Sequence, residues 1–101
     1  LNATRGNLDR IVGASREAGA KVLLLGMQVP PNYGKAYTDA FAQVFRDVAK
    51  VHQAPLVPFF LDGVAEDMSL FQPDRIHPNA QAQPRMLENV WPALRRLIGK
   101  G

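Results

Sequence analysis

Asp74 and His77 stand three residues apart in Asp74-Arg75-Ile76-His77-Pro78-Asn79, a polar stretch that leads into a helical pattern. A carboxylate placed there can accept a hydrogen bond from one imidazole nitrogen. That bond fixes the tautomer and leaves the other nitrogen to take a proton from a nucleophile. Two of the three members of a catalytic triad are then present. The third would be a serine or cysteine, and the chain has no cysteine. Ser15 falls in a helical pattern, and Ser69 lacks the strand-to-helix elbow that presents a serine nucleophile. The same Asp–His spacing also suits a loop that caps a helix by satisfying local backbone groups, so the residues alone leave both readings open. A metal site would have to draw on His52, Asp62, Glu66 or Asp67, whose spacings match no ligand set, and no metal is expected. His52 closes a helical pattern, where a donor or cationic side chain suits the last carbonyls, and Trp91 reads as core.

The elements that must carry this segment follow from hydrophobic periodicity. Leu8, Ile11, Val12, Ser15 and Ala18 fall at helical spacing and Gly19 supplies a stop. Lys21 to Gly26 is a short apolar run closed by glycine, the pattern of a strand buried on both faces of a parallel sheet. Met27 to Gly34 contains Pro30-Pro31-Asn32-Tyr33-Gly34 and must be a loop, because two successive residues lack a backbone donor. From Lys35 to about His52, the residues Tyr37, Phe41, Val44, Val48 and Val51 line one face of a long amphipathic helix. Pro55 to Phe60 reads as a second short strand and Asp62 to Asp74 as irregular or weakly helical. A last helix runs from about Ala80, with Pro84 in its first turn and Pro92 predicting a kink.

Helix, strand, helix, strand, helix in that order is a βαβ unit with flanking helices, for which a right-handed crossover is the rule. Two parallel strands do not make a stable sheet, so the chain is expected to be part of a larger α/β domain whose other strands lie elsewhere. In such sheets ligands bind beyond the carboxyl ends of the strands. Both Met27–Gly34 and the Asp74–His77 segment lie there.

The 101 residues, 47% hydrophobic and 21% charged, have globular composition and suit a single domain. Twelve basic residues against nine acidic give a net +3, but the basic residues are scattered along helices, and no nucleic-acid partner is expected. No apolar run approaches the roughly 18 residues that span a bilayer, and no signal sequence is evident. The absence of cysteine rules out disulfides without fixing a compartment.

Taken together, KVLLLGMQVPPNYG at Lys21–Gly34, PLVPFF at Pro55–Phe60 and DRIHPN at Asp74–Asn79, followed by Ala82-Gln83-Pro84, resemble the C-terminal half of an SGNH hydrolase of the GDSL esterase family. The likeness is to the bacterial thioesterase I, lysophospholipase L1 and arylesterase type. It implies a three-layer α/β/α flavodoxin-like sandwich, of which residues 1–101 supply the C-terminal strands and helices. It also implies hydrolysis of acyl esters or thioesters without a cofactor, and a periplasmic or secreted location. Asp74 and His77 would be the triad's acid and base. Met27, Val29, Pro30 and Tyr33 would border the acyl pocket, although a rigid loop capping the strand explains them equally well. The serine nucleophile and the remaining oxyanion donors belong to blocks this chain does not contain. It is therefore expected to be inactive alone, to need the N-terminal half of the same domain as partner, and to self-associate without it. The alternative is a non-catalytic binding or interaction fragment.

Overall fold

The computed structural model describes residues 1–99. Its elements are helix α1 (Asn2–Glu17), strand β1 (Leu24–Leu25), helix α2 (Lys35–His52), strand β2 (Leu56–Val57) and helix α3 (Gln83–Ile98), with single 3-10 turns at Pro31–Tyr33, Met68–Leu70 and Ala80–Ala82. The strands pair in parallel, Leu24 with Leu56 and Leu25 with Val57. Backbone bonds from Leu24 N to Pro55 O and from Gly26 N to Val57 O extend the ladder by one residue at each end. The paired region is shorter than the apolar runs suggest, because Pro55 has no N–H to donate at the start of β2 and, past Val57, Gly26 O is taken by Phe60 N rather than by the next residue of a regular ladder.

Leu24, with Val12, Val44, Phe45, Val48 and Ala49, forms the main core, against which the half-buried Leu56, its partner in the strand pair, packs with Leu8, Val22 and Phe41. Leu25 points the other way, into an open cleft against α3. The helices thus lie on both faces of the strand pair, α1 packed on α2 on one side and α3 along β2 on the other. The apolar stripe of α3 is largely uncovered, which corrects the expectation that Trp91 is core. Leu87, Trp91 and Ile98 are exposed and no α3 residue is fully buried. Two strands are too narrow a surface to cover that stripe. Pro92 lies inside a continuous α-helical segment rather than dividing it.

Two glycines act by geometry. Gly19 adopts φ 89° after α1, and the bonds from Gly19 N to Arg16 O and from Ala20 N to Ser15 O close a Schellman motif that ends the helix. Gly26 lies where β1 crosses the exit of β2, and a Cβ there would stand 2.2 Å from Pro58 O. Only glycine allows that approach, and from it the two loops beyond the strands diverge. Phe60 N returns to bond Gly26 O at 2.9 Å, fixing where the second loop begins.

His52 has a different partner from the carbonyls expected for it. Its Nε2 lies 2.8 Å from Asp9 Oδ1, joining the end of α2 to the middle of α1. Arg5 and Asp47 make a second link between these helices, at 2.7 Å.

Candidate active site

The segment after β2 is anchored to α3 before it reaches Asp74. Asn89 Nδ2 donates to Phe60 O and Asp62 O, Arg85 Nε donates to Asp62 O, and Val64 is fully buried beneath the turn. Asp67 then caps the Met68–Leu70 turn by accepting from Ser69 N and from Ser69 Oγ, at 3.0 and 2.6 Å. An antiparallel bridge between Phe71 and Pro78 follows. Residues 72–77 form the turn it closes, and sequence periodicity gave no sign of this small hairpin.

Asp74 and His77 meet inside that turn. His77 Nδ1 lies 2.6 Å from Asp74 Oδ2, while Asp74 Oδ1 accepts the backbone N–H groups of Ile76 and His77 at 2.9 and 3.1 Å. Arg75 is left-handed, with φ 62°, and so lets the chain fold back to offer both amides to one oxygen. The capping and catalytic readings of this motif are compatible, because one carboxylate oxygen serves the backbone and the other the ring. Hydrogen bonds from the His77 ring and from the Ile76 and His77 amides hold the Asp74 carboxyl at a pKa of about 2, well below its usual 3.8. With Nδ1 donating to the carboxylate, Nε2 carries the lone pair. The ring is largely exposed, and among the described residues Nε2 has no hydrogen-bond partner.

Neither serine serves this imidazole. Ser15 Oγ donates to Ile11 O within α1, and Ser69 Oγ donates to Asp67. Among the described residues no three carboxylates or imidazoles converge on one point.

The four pocket residues expected from the Met27–Gly34 loop divide. Val29 and Pro30 line a cleft of about 310 Å³ with Gln28, Phe59, Leu61, Ala65 and Glu66, between the two loops beyond the strand ends. Met27 and Tyr33 do not line it; Tyr33 instead stacks on Tyr37 with ring centroids 5.6 Å apart. Phe59, Leu61 and Ala65 were not singled out from the sequence, where they are ordinary apolar residues in a turn-rich stretch. Asn79 closes the Asp74–Asn79 motif. Its position just before Ala80–Ala82 is the signal of a helix cap, and its Oδ1 accepts from Ala82 N at 3.2 Å.

A parallel βαβ unit with an Asp–His couple in the loop beyond its second strand is an arrangement suited to α/β hydrolases that use an acid–base pair. The chain belongs to the GDSL-like Lipase/Acylhydrolase family, whose model matches residues 1–84. It is 52% identical over 92 residues to the esterase TesA of Pseudomonas aeruginosa, covering 91% of this chain and 46% of that protein. It is 35% identical over 95 residues to the thioesterase 1/protease 1/lysophospholipase L1 of Escherichia coli K12, covering 94% of this chain and 46% of that protein. The crystal structure of the psychrotrophic esterase EstA from a Pseudoalteromonas species, inhibited by monoethylphosphonate, superposes with a TM-score of 0.85 at 30% identity, over 97% of this chain and 54% of that one. The chain spans about half the length of the relatives it matches.

Proposed function

We propose that residues 1–101 are the later part of a single SGNH-type domain and supply the acid and base of a serine ester hydrolase acting on acyl esters or thioesters. The observation that carries this reading is the 2.6 Å bond between Asp74 and His77 Nδ1, which leaves Nε2 of a largely exposed ring without a hydrogen-bond partner among the described residues. Nε2 removes the proton from a serine hydroxyl furnished by the remainder of the domain, and the serine oxygen bonds to the acyl carbonyl carbon. Asp74, ionised because its pKa is near 2, stabilises the imidazolium that forms. The imidazolium then gives its proton to the departing alcohol or thiol as the tetrahedral intermediate collapses. Water, deprotonated by the same nitrogen, releases the acid from the acyl-enzyme. The names of the relatives, an esterase and a thioesterase that is also a lysophospholipase, support this reaction class. The solved relative EstA is likewise an esterase, inhibited by monoethylphosphonate. Val29 and Pro30 contact the acyl chain, and the expected compartment is periplasmic or secreted.

The test is hydrolysis of a short-chain nitrophenyl ester by the intact protein, by its His77→Ala variant and by the 101-residue chain alone. Turnover by the intact protein, with none above background from the other two, is expected. Undiminished turnover in His77→Ala overturns the assignment and leaves a binding role for the Asp–His turn.

A further inference from the structure

Packing does not hold the acid–base couple in place, since the His77 side chain is 71% exposed. Backbone bonds hold it. Gln72 N donates to His77 O and Asn79 N to Leu70 O, both at 2.8 Å, on either side of the Phe71–Pro78 bridge. In this antiparallel pattern the bridged pair points its own amides and carbonyls outward, so Pro78 removes no ladder bond. The outward carbonyl of Phe71 lies 3.4 Å from Asn79 Nδ2, and the same Nδ2 donates to Ser69 O at 2.8 Å. On its other side Asn79 accepts, through Oδ1 from Ala82 N at 3.2 Å and through its carbonyl from Gln83 Nε2 at 3.1 Å. One half-buried side chain therefore joins the incoming arm of the hairpin to the 3-10 turn that leads into α3.

The geometry points to Asn79 as a positioning residue that fixes where the hairpin holds His77. It acts through the backbone of residues 69–78 and touches neither the ring nor the carboxylate. This inference rests on the catalytic role proposed for His77. The cap and the tie are chemically separable. Aspartate caps a helix as well as asparagine does, but it has no N–H to donate and would set a carboxylate against the carbonyls of Ser69 and Phe71. Asn79→Asp thus keeps the cap on the Ala80–Ala82 turn and removes the tie, whereas Asn79→Ala removes both. Displacement of a reacting group by about 1 Å can lower a rate by about 10²-fold.

Two measurements on the intact protein decide the matter. In Asn79→Asp, amide hydrogen exchange at Gln72 should quicken at least about tenfold while that at Val48 in α2 stays unchanged. Ester hydrolysis should lose about 10²-fold in kcat, with KM within about twofold, because Asn79 does not line the Val29–Pro30 cleft. Asn79→Ala should lose about as much kcat as Asn79→Asp. Unchanged exchange at Gln72 overturns the positioning role whatever the activity. Faster exchange with kcat retained overturns its bearing on catalysis, provided His77→Ala is inactive. If His77→Ala keeps its activity, the function proposed above falls and the catalytic part of this inference falls with it.

Discussion

At the scale of single residues the Asp74–His77 turn separates chemistry from stability. His77 packs against little, so His77→Ala should abolish most of kcat in the intact protein while leaving its unfolding midpoint nearly unmoved. Asp74→Asn should lower kcat as well. In serine proteases the corresponding change costs about 10⁴-fold, and the loss here should not exceed that; near wild-type rates in both variants would remove the pair from the mechanism. Asp74 also makes a stability prediction of definite sign. Folding lowers its pKa from 3.8 to about 2, so the ionised carboxylate favours the folded state. That contribution is complete above about pH 4 and is lost as pH falls towards 2. Denaturant unfolding of wild type and Asp74→Asn at stepped pH should therefore show a gap at neutral pH that closes by about pH 2. A gap that widens on acidification would contradict the bonds that lower the pKa.

At the scale of elements, local chemistry decided what could be read from the chain. The pattern from Lys35 to His52 predicts α2 with the bounds it has, because its apolar face is unbroken and Gly34 and Gln53 interrupt the helical dihedrals on either side. The two apolar runs locate the strands but overstate their length: apolar runs report burial, whereas a ladder also needs donors in register, which Pro55 lacks and which the chain loses after Val57. α1 begins six residues before its first apolar position at Leu8, since Asn2 to Asn7 carry no periodicity yet extend a helix nucleated further along. The hairpin of residues 71–78 has no run of β-formers to mark it; three bonds to Asp74 and the backbone bonds from Gln72 N to His77 O and from Asn79 N to Leu70 O create it. For the loop after β1, half of the expected set met a cleft, which sharpens a prediction. Val29→Ala or Pro30→Ala should shift the preferred acyl length more than the rate on a short ester, a lost methylene contact being worth roughly 1 kcal/mol. Tyr33→Ala, away from that cleft, should leave the profile alone. Unaltered chain-length profiles in the first two variants would favour a loop that only caps its strand.

At the scale of the whole molecule the chain is a slab. Its extents are 39 × 33 × 18 Å and its radius of gyration is 14.7 Å, where a compact domain of this length has about 13 Å. It exposes 7027 Å², roughly 1,400 Å² more than a compact protein of its mass, and one partner in an ordinary protein interface covers about 800 Å². The surplus has a location. A cleft of about 680 Å³ opens between β1 and α3, lined by Leu25, Phe60, Met86, Leu87 and Val90 among others, beside the unpaired edge of β1. A free strand edge next to uncovered apolar surface favours pairing with another chain. The remainder of the proposed domain, about as long as this chain, is the occupant that would both extend the sheet from Leu24–Leu25 and cover α3. Prepared alone, the 101-residue chain should sediment as dimers or larger species and bind an exposed-hydrophobe dye, and mixing it with the complementary part of the domain should suppress both. Leu87→Gln with Trp91→Gln should reduce the dye signal while leaving the α1–α2 core intact by near-ultraviolet and exchange criteria. A monodisperse chain that unfolds cooperatively and binds no dye would mean that two strands and three helices close their own core, and that the surface beside β1 needs no partner.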